Sequence, residues 1–107
     1  MSTRLPGREY KAVFDRGRSS RGRLLVAWHL ASEAPEPLAG VVVSKRTFRK
    51  AVERSRAKRL MREAFRELVK EGRIAPGGRW IFIARASIRS AKCADVKGDI
   101  SRLCGRF

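Results

Sequence analysis

The chain has 107 residues, enough for one small domain with a modest core, and carries 26 Lys and Arg against 10 Asp and Glu, a formal net charge of +16. Self-repulsion of that size opposes compaction and points to a polyanionic partner, while 43% hydrophobic residues exclude disorder as a description of the whole chain. Two cysteines, Cys93 and Cys104, with no Cys-x-x-Cys and one distant histidine, His29, argue against a disulfide framework or a zinc site.

Taken in order, MSTRLPGREY lacks the apolar run of a secretory signal. GREYKAVFDRG then predicts a short helix, with Tyr10, Val13 and Phe14 on one face and an end near Gly17. Arg23–Ala31 reads as a strand in which Leu24, Val26, Trp28 and Leu30 face one way and Leu25, Ala27 and His29 the other. SEAPEPL is a turn-rich loop, and Ala39–Lys45 a second strand, β-branched and apolar enough for mid-sheet. The longest helix covers AVERSRAKRLMREAFRELVKEG, APGGR breaks the chain, and Trp80–Arg85 is another buried strand. From about Ala91 onward, Val96, Ile100, Leu103 and Cys104 recur at helical spacing. The order predicts an α+β fold, one domain over residues 1–107, with a single sheet of about four strands packed by three helices. A β-α-β unit runs from Val41 to Ile83, its strands parallel if they share the sheet. The apolar stretches are too short to cross a bilayer, so a cytoplasmic protein without membrane contact is expected.

On the long helix, Ala57, Leu60, Met61, Ala64, Phe65, Leu68 and Val69 form the stripe that packs on the sheet. Arg54, Lys58, Arg62 and Arg66 form a second row at i, i+4, i+8 and i+12, widened by Arg59, with Glu63 and Glu67 toward the opposite side. Like charges at this spacing weaken an isolated helix by roughly 0.2–0.5 kcal/mol per pair. Solvated faces usually alternate sign, yet between Lys45 and Arg62 only Glu53 opposes nine cations. A row rising about 6 Å per step tracks a phosphate backbone, and Arg supplies forked donors for phosphate oxygens. Nucleic acid is the partner this row suits.

Tyr10 and Phe14 share a helix face and Trp28 lies on the first apolar strand, so the three rings would line a groove if that helix crosses the sheet. Arg8, Lys11, Arg23, Lys45 and Arg46 would supply charge at its rim. Such platforms suit unpaired nucleotides. Equally, the rings would be core, an assignment that fits Phe14 better than Tyr10 or Trp28. Asp95 and Asp99 are the nearest thing to a carboxylate pair and read as helix-surface residues. No glycine-rich phosphate loop, metal cage or acid/base pair is visible. No catalytic or metal-binding residue is assigned.

Four segments in order resemble the protein component of bacterial ribonuclease P. AVERSRAKRLMREAFRE is similar to that family's Arg-Asn-Arg signature and basic helix, and REYKAVFDRGR to its first helix. GVVVSKR and WIFIAR resemble the strands before and after the basic segment. The resemblance implies a left-handed β-α-β crossover, against the usual preference. It also implies a ribonucleoprotein that removes the 5′ leader from precursor tRNA, with chemistry and Mg2+ carried mainly by a catalytic RNA subunit. No organic cofactor, active site on this chain or obligate protein partner is implied. Carried over, Arg54, Ser55, Arg56, Lys58, Arg59, Arg62 and Arg66 would face the RNA subunit. Tyr10, Phe14 and Trp28, edged by Arg23, Lys45 and Arg46, would hold the single-stranded leader. Ser55 departs from the family's Asn, exchanging an amide for a shorter hydroxyl.

The competing readings are a non-catalytic ribosomal or architectural RNA-binding protein, which fits the basic row equally well, and a helix-turn-helix DNA reader. The second lacks a short preceding helix and turn. A membrane-surface helix conflicts with the need for Leu60, Met61 and Phe65 in the core.

Overall fold

Alternating apolar residues in the strands and 3.6-residue periodicity in the helices converge on one sheet. The structure, a computed structural model, describes residues 3–107. A 3-10 turn at Gly7–Glu9 leads into α1 (Tyr10–Arg16), followed by β1 (Arg18–Arg21), β2 (Leu25–Ala31), β3 (Leu38–Val42), α2 (Ala51–Lys70) and β4 (Gly78–Ala84). A second 3-10 turn at Ala86–Ser90 precedes α3 (Cys93–Cys104). The sheet order is β1-β2-β4-β3, with β3 parallel to β4 and the other pairs antiparallel. The α+β reading therefore holds, and the β-α-β unit is β3–α2–β4, its strands adjacent and parallel.

The fourth strand is β1, in a stretch without strand patterning. Arg18-Ser-Ser-Arg has no apolar residue, and it pairs at the sheet edge, where neither face needs one. The strand expected from Arg23 begins at Leu25, because Arg23 and Leu24 form the bend from β1. Leu24 consequently joins the same core cluster as Leu25 and Ala27, not the face that carries Trp28. β3 ends at Val42, before Lys45.

The two sheet faces are covered unequally. Leu25 and Ala27 of β2, Val41 of β3 and Trp80 and Phe82 of β4 face α2 and α3, where Met61, Phe65, Leu68, Ile100 and Leu103 close the main core. Each such fully buried side chain contributes roughly 1.5–3 kcal/mol over its exposed state. All but one of the stripe expected on α2 are buried; Val69 is half-buried at its margin. Gly72 ends α2 at φ +70°, with its N–H on the Val69 carbonyl (3.0 Å) and that of Arg73 on the Leu68 carbonyl (2.9 Å). This left-handed turn satisfies carbonyls the helix leaves open.

The opposite face has only α1, whose seven residues span about 10 Å against strands of about 23 Å. α1 lies over one cross-strand row, Gly40, Ile81 and Trp28. Val13 is buried in one cluster with Ile81, and Tyr10 rests its hydroxyl where a Cβ on Gly40 would collide with it. Arg79 anchors the start of the helix through Glu9 (3.2 Å) and the Glu36 carbonyl (2.8 Å).

Asp99 departs from its expected place on a helix surface. It is 3% exposed and accepts the N–H groups of Leu24 (3.0 Å) and Arg23 (3.4 Å), with the Arg102 guanidinium on its other side. The carboxylate thus ties α3 to the β1–β2 bend, because the amides of that bend have no ladder partner for it to displace. Asp95 is exposed and accepts the Lys92 N–H at the start of α3 (2.9 Å).

Candidate nucleic-acid interface

Lys58, Arg59, Arg62 and Arg66 stand along the edge of α2 nearest β3 and on its solvent side, and none forms an ion pair or hydrogen bond among the described residues. With Ser55 they line a cleft of about 400 Å³ against the N-terminal segment and β3, floored by Val41, Met61 and Phe65. The acidic residues divide. Glu67 and Glu71 point to α3, where both pair with Lys97, so they leave this edge unneutralised. Glu63 stands between the two edges: it lines the same cleft as the cations, and its charge also reaches Cys93 of α3. α2 therefore has a positive edge toward β3 and a paired, near-neutral edge toward α3.

Arg54 and Arg56 behave differently from the rest of the row. Arg54 donates to the carbonyls of Phe48 (2.7 Å) and Arg49 (3.0 Å), closing the loop that enters α2. Arg56 donates to the carbonyls of Ala91 (2.6 Å), Arg89 (3.0 Å) and Ile88 (3.4 Å), clamping the turn before α3. Helical spacing fixes where a side chain leaves the axis; an arginine's reach then lets it turn back onto protein. Arg56→Ala is expected to destabilise the fold by about 2 kcal/mol, the loss of charged hydrogen bonds to the Ala91 and Arg89 carbonyls. On a domain of this size that lowers the melting temperature by roughly 10 °C. Arg59→Ala should leave it nearly unchanged, and equal shifts in the two melts would contradict the clamp.

The aromatic groove forms where α1 stops covering the sheet. Phe14 meets Trp28 edge-on, ring centroids 5.3 Å apart at 78°, and Phe14 is 37% exposed. The core alternative, which suited Phe14 best of the three, fails there first: Val13 takes the buried position and Phe14 is left at the surface. Tyr10 and Trp28 are half-buried. Beside them the next cross-strand row, Val42, Ile83 and Val26, is half-buried and uncovered by any helix. Arg21 sits opposite Val26 at the end of that row. Lys45 and Arg46 are exposed in the turn beyond β3. Arg23 is not brought to this groove; it lines a depression against α3, with its carbonyl accepting the Ser87 hydroxyl (2.6 Å). Arg21 and the three floor residues were the functional candidates missed from sequence. Strand alternation around Trp28 pointed to Val26; nothing in RSSR marked Arg21.

The remaining reactive groups are held quiet. Both cysteines are free. Burial pushes the Cys104 thiol up to about 12, and burial aided by Glu67 and Glu63 raises Cys93, so neither offers a thiolate near neutral pH. Burial, then Arg18, holds His29 below its ordinary value, and its ring packs 4.3 Å from that of Trp80. Among the described residues no three His, Cys, Asp or Glu side chains cluster as metal ligands, and no helix is long and apolar enough to cross a membrane.

A basic helix edge and an aromatic groove on opposite faces of one α+β sheet define a nucleic-acid-binding domain. Residues 4–107 match the ribonuclease P family model. The chain is 34% identical over 98 residues to the ribonuclease P protein component of Clostridioides difficile, covering 92% of this chain and 84% of that protein. With its counterpart from Geobacillus kaustophilus the identity is 41% over 93 residues, covering 86% and 74%. The solved ribonuclease P protein of Thermotoga maritima superposes with a TM-score of 0.84 at 25% identity, covering 97% of this chain and 96% of that one. The Staphylococcus aureus protein gives 0.80 at 22%, covering 99% and 95%, and supports the fold alone. The chain belongs to the ribonuclease P protein component family.

Proposed function

We propose that this chain is the subunit through which a catalytic RNA acquires a grip on precursor tRNA, in cytoplasmic removal of the 5′ leader. The positive edge of α2 holds the RNA subunit by its phosphates, through Lys58, Arg59, Arg62 and Arg66, while Arg54 and Arg56 shape the two loops at its start. Both arginines keep donors beyond those used on the carbonyls, enough for one phosphate oxygen each. The groove takes the single-stranded leader, with bases against Tyr10, Phe14 and Trp28 and phosphates toward Arg21, Lys45 and Arg46. Mg2+ and the hydrolytic step belong to the RNA; the protein's part is charge neutralisation and alignment. Ser55 meets the RNA with a hydroxyl on the exposed side of α2.

The observation that carries this reading is the presence of two differently built surfaces, one dominated by cations and one aromatic, on opposite faces of one sheet. A non-catalytic RNA-binding protein needs only the first. Cleavage of precursor tRNA by the cognate RNA subunit at low Mg2+, with and without the chain, tests it: rescue of correctly placed 5′ cleavage is expected, and tight binding without rescue would move the assignment to a ribosomal or architectural role. Phe14→Ala should weaken the holoenzyme's hold on precursor tRNA about ten-fold and spare mature tRNA, since stacking on one ring contributes roughly 1–3 kcal/mol per base. Equal loss for both RNAs would contradict a leader groove.

A further inference from the structure

The cleft beside α2 holds more than a row of charges. The N-terminal segment pairs with the outer edge of β3 only at Ala39, whose N–H donates to Thr3 (2.7 Å) and whose carbonyl accepts from Leu5 (3.0 Å). Backbone groups alternate sides along a strand. The N–H and C=O of Val41, two residues on, therefore point to that same outer edge. They take no backbone partner outside the sheet among the described residues. An unpaired stretch of strand edge is a ready template for a further hydrogen-bonding partner. Val41 lines the cleft with Met61 and Phe65 as its apolar floor, and Lys58, Arg59, Arg62 and Arg66, with Glu63 among them, line its α2 wall.

We propose that this cleft receives a single unpaired nucleotide of the catalytic RNA, its base edge on the Val41 N–H and C=O and its phosphate on the surrounding cations. The proposal rests on the RNA-subunit reading of the α2 edge. A base edge presents a donor and an acceptor side by side, as a strand edge does, and the cleft's volume of about 400 Å³ lies within the range of small-ligand pockets. An extended peptide would also pair with the strand edge. Four cations against one Glu63 on the α2 wall favour the polyanion, and the hydrogen-bonding reach is limited to the short stretch beyond Ala39. Surface phosphate tracking accounts for the cations but not for the open backbone groups between them.

The test fills the cleft without removing a charge. Ser55→Trp closes it from α2 and Thr3→Trp from the opposite wall; Val52→Trp, on an α2 residue 72% exposed and outside the cleft, is the control. Affinity of the full chain for the RNA subunit should fall about ten-fold in both cleft variants with the salt slope lower by no more than one contact's worth, roughly 0.7–0.9, while Val52→Trp binds as the parent does. In the parent complex the Val41 amide should shift in the 15N spectrum and exchange more slowly with solvent. Parent-like affinity in both filled variants, or a Val41 amide that does not respond, overturns the proposal while leaving the phosphate edge standing. Failure of the parent chain to bind the RNA at all overturns both.

Discussion

Replacing Lys58, Arg62 and Arg66 together by alanine is expected to weaken binding to the catalytic RNA by about a thousand-fold at ~50 mM salt. Each phosphate contact adds roughly 0.7–0.9 to the log–log salt slope, so at that concentration one contact is worth about a factor of ten through counterion release. Three lost contacts should also flatten the slope by about 2–2.7. The stability change has the opposite sign. Lys58–Arg62 and Arg62–Arg66 are like-charge pairs one turn apart, with no acidic partner among the described residues. Removing them relieves roughly 0.2–0.5 kcal/mol per pair. The variant should thus melt slightly higher while binding far more weakly. Filter binding across a salt series, with a thermal melt on the same preparation, checks both signs. A lower melting temperature would assign the row to folding, and an unchanged slope would remove it from the phosphate contact surface.

Asp99→Ala carries the largest expected loss of stability, about 3 kcal/mol. Its carboxylate is the one charged group buried in the core among the described residues, and removing it strands the Leu24 N–H and releases the Arg102 guanidinium. A buried donor left without a partner costs roughly 1–3 kcal/mol, and charged hydrogen bonds exceed neutral ones. Small domains have only about 5–15 kcal/mol in total, so the variant should unfold at distinctly lower urea. Asp99→Asn retains an acceptor and should fall between. Asp95→Ala, which removes only an exposed helix-start contact, should cost about 1 kcal/mol. If the two alanine variants unfold together, Asp99 does not hold α3 to the β1–β2 bend.

The contrast between those two aspartates shows what was legible in the sequence. Periodicity located α2 and its buried stripe because each of those residues answers to a single constraint, the position of the sheet. It failed at Asp99, whose partners are backbone amides 75 and 76 residues away that carry no mark in the sequence. It failed at β1 because an edge strand with polar residues on both faces has no apolar alternation to read. The basic row was legible as charge but not as contact. Arg54, Lys58, Arg62 and Arg66 share one spacing, yet the first turns inward to the Phe48 and Arg49 carbonyls, and Arg56 beside it does the same. The core alternative singled out Phe14 because helical spacing ranks it equally with Val13. The narrow row that α1 covers admits Val13 over Ile81 and leaves Phe14 at the margin. The family resemblance supplied the roles; the packing decides which side chains are free to perform them.

Because α1 lies across the strands and covers one row of them, the strip of sheet it leaves bare is a sieve. Between the helix and the ends of the strands the floor is one cross-strand row deep, Val26, Ile83 and Val42, or about 7 Å of strand. A strand of RNA enters such a slot only if its bases are free to lie flat against the floor, and a base already paired has both its faces and its edge committed. The protein would then select by strandedness, at any sequence, with no hydrogen bond to a base. Leader and mature tRNA would be distinguished by what can be laid down in a strip this narrow.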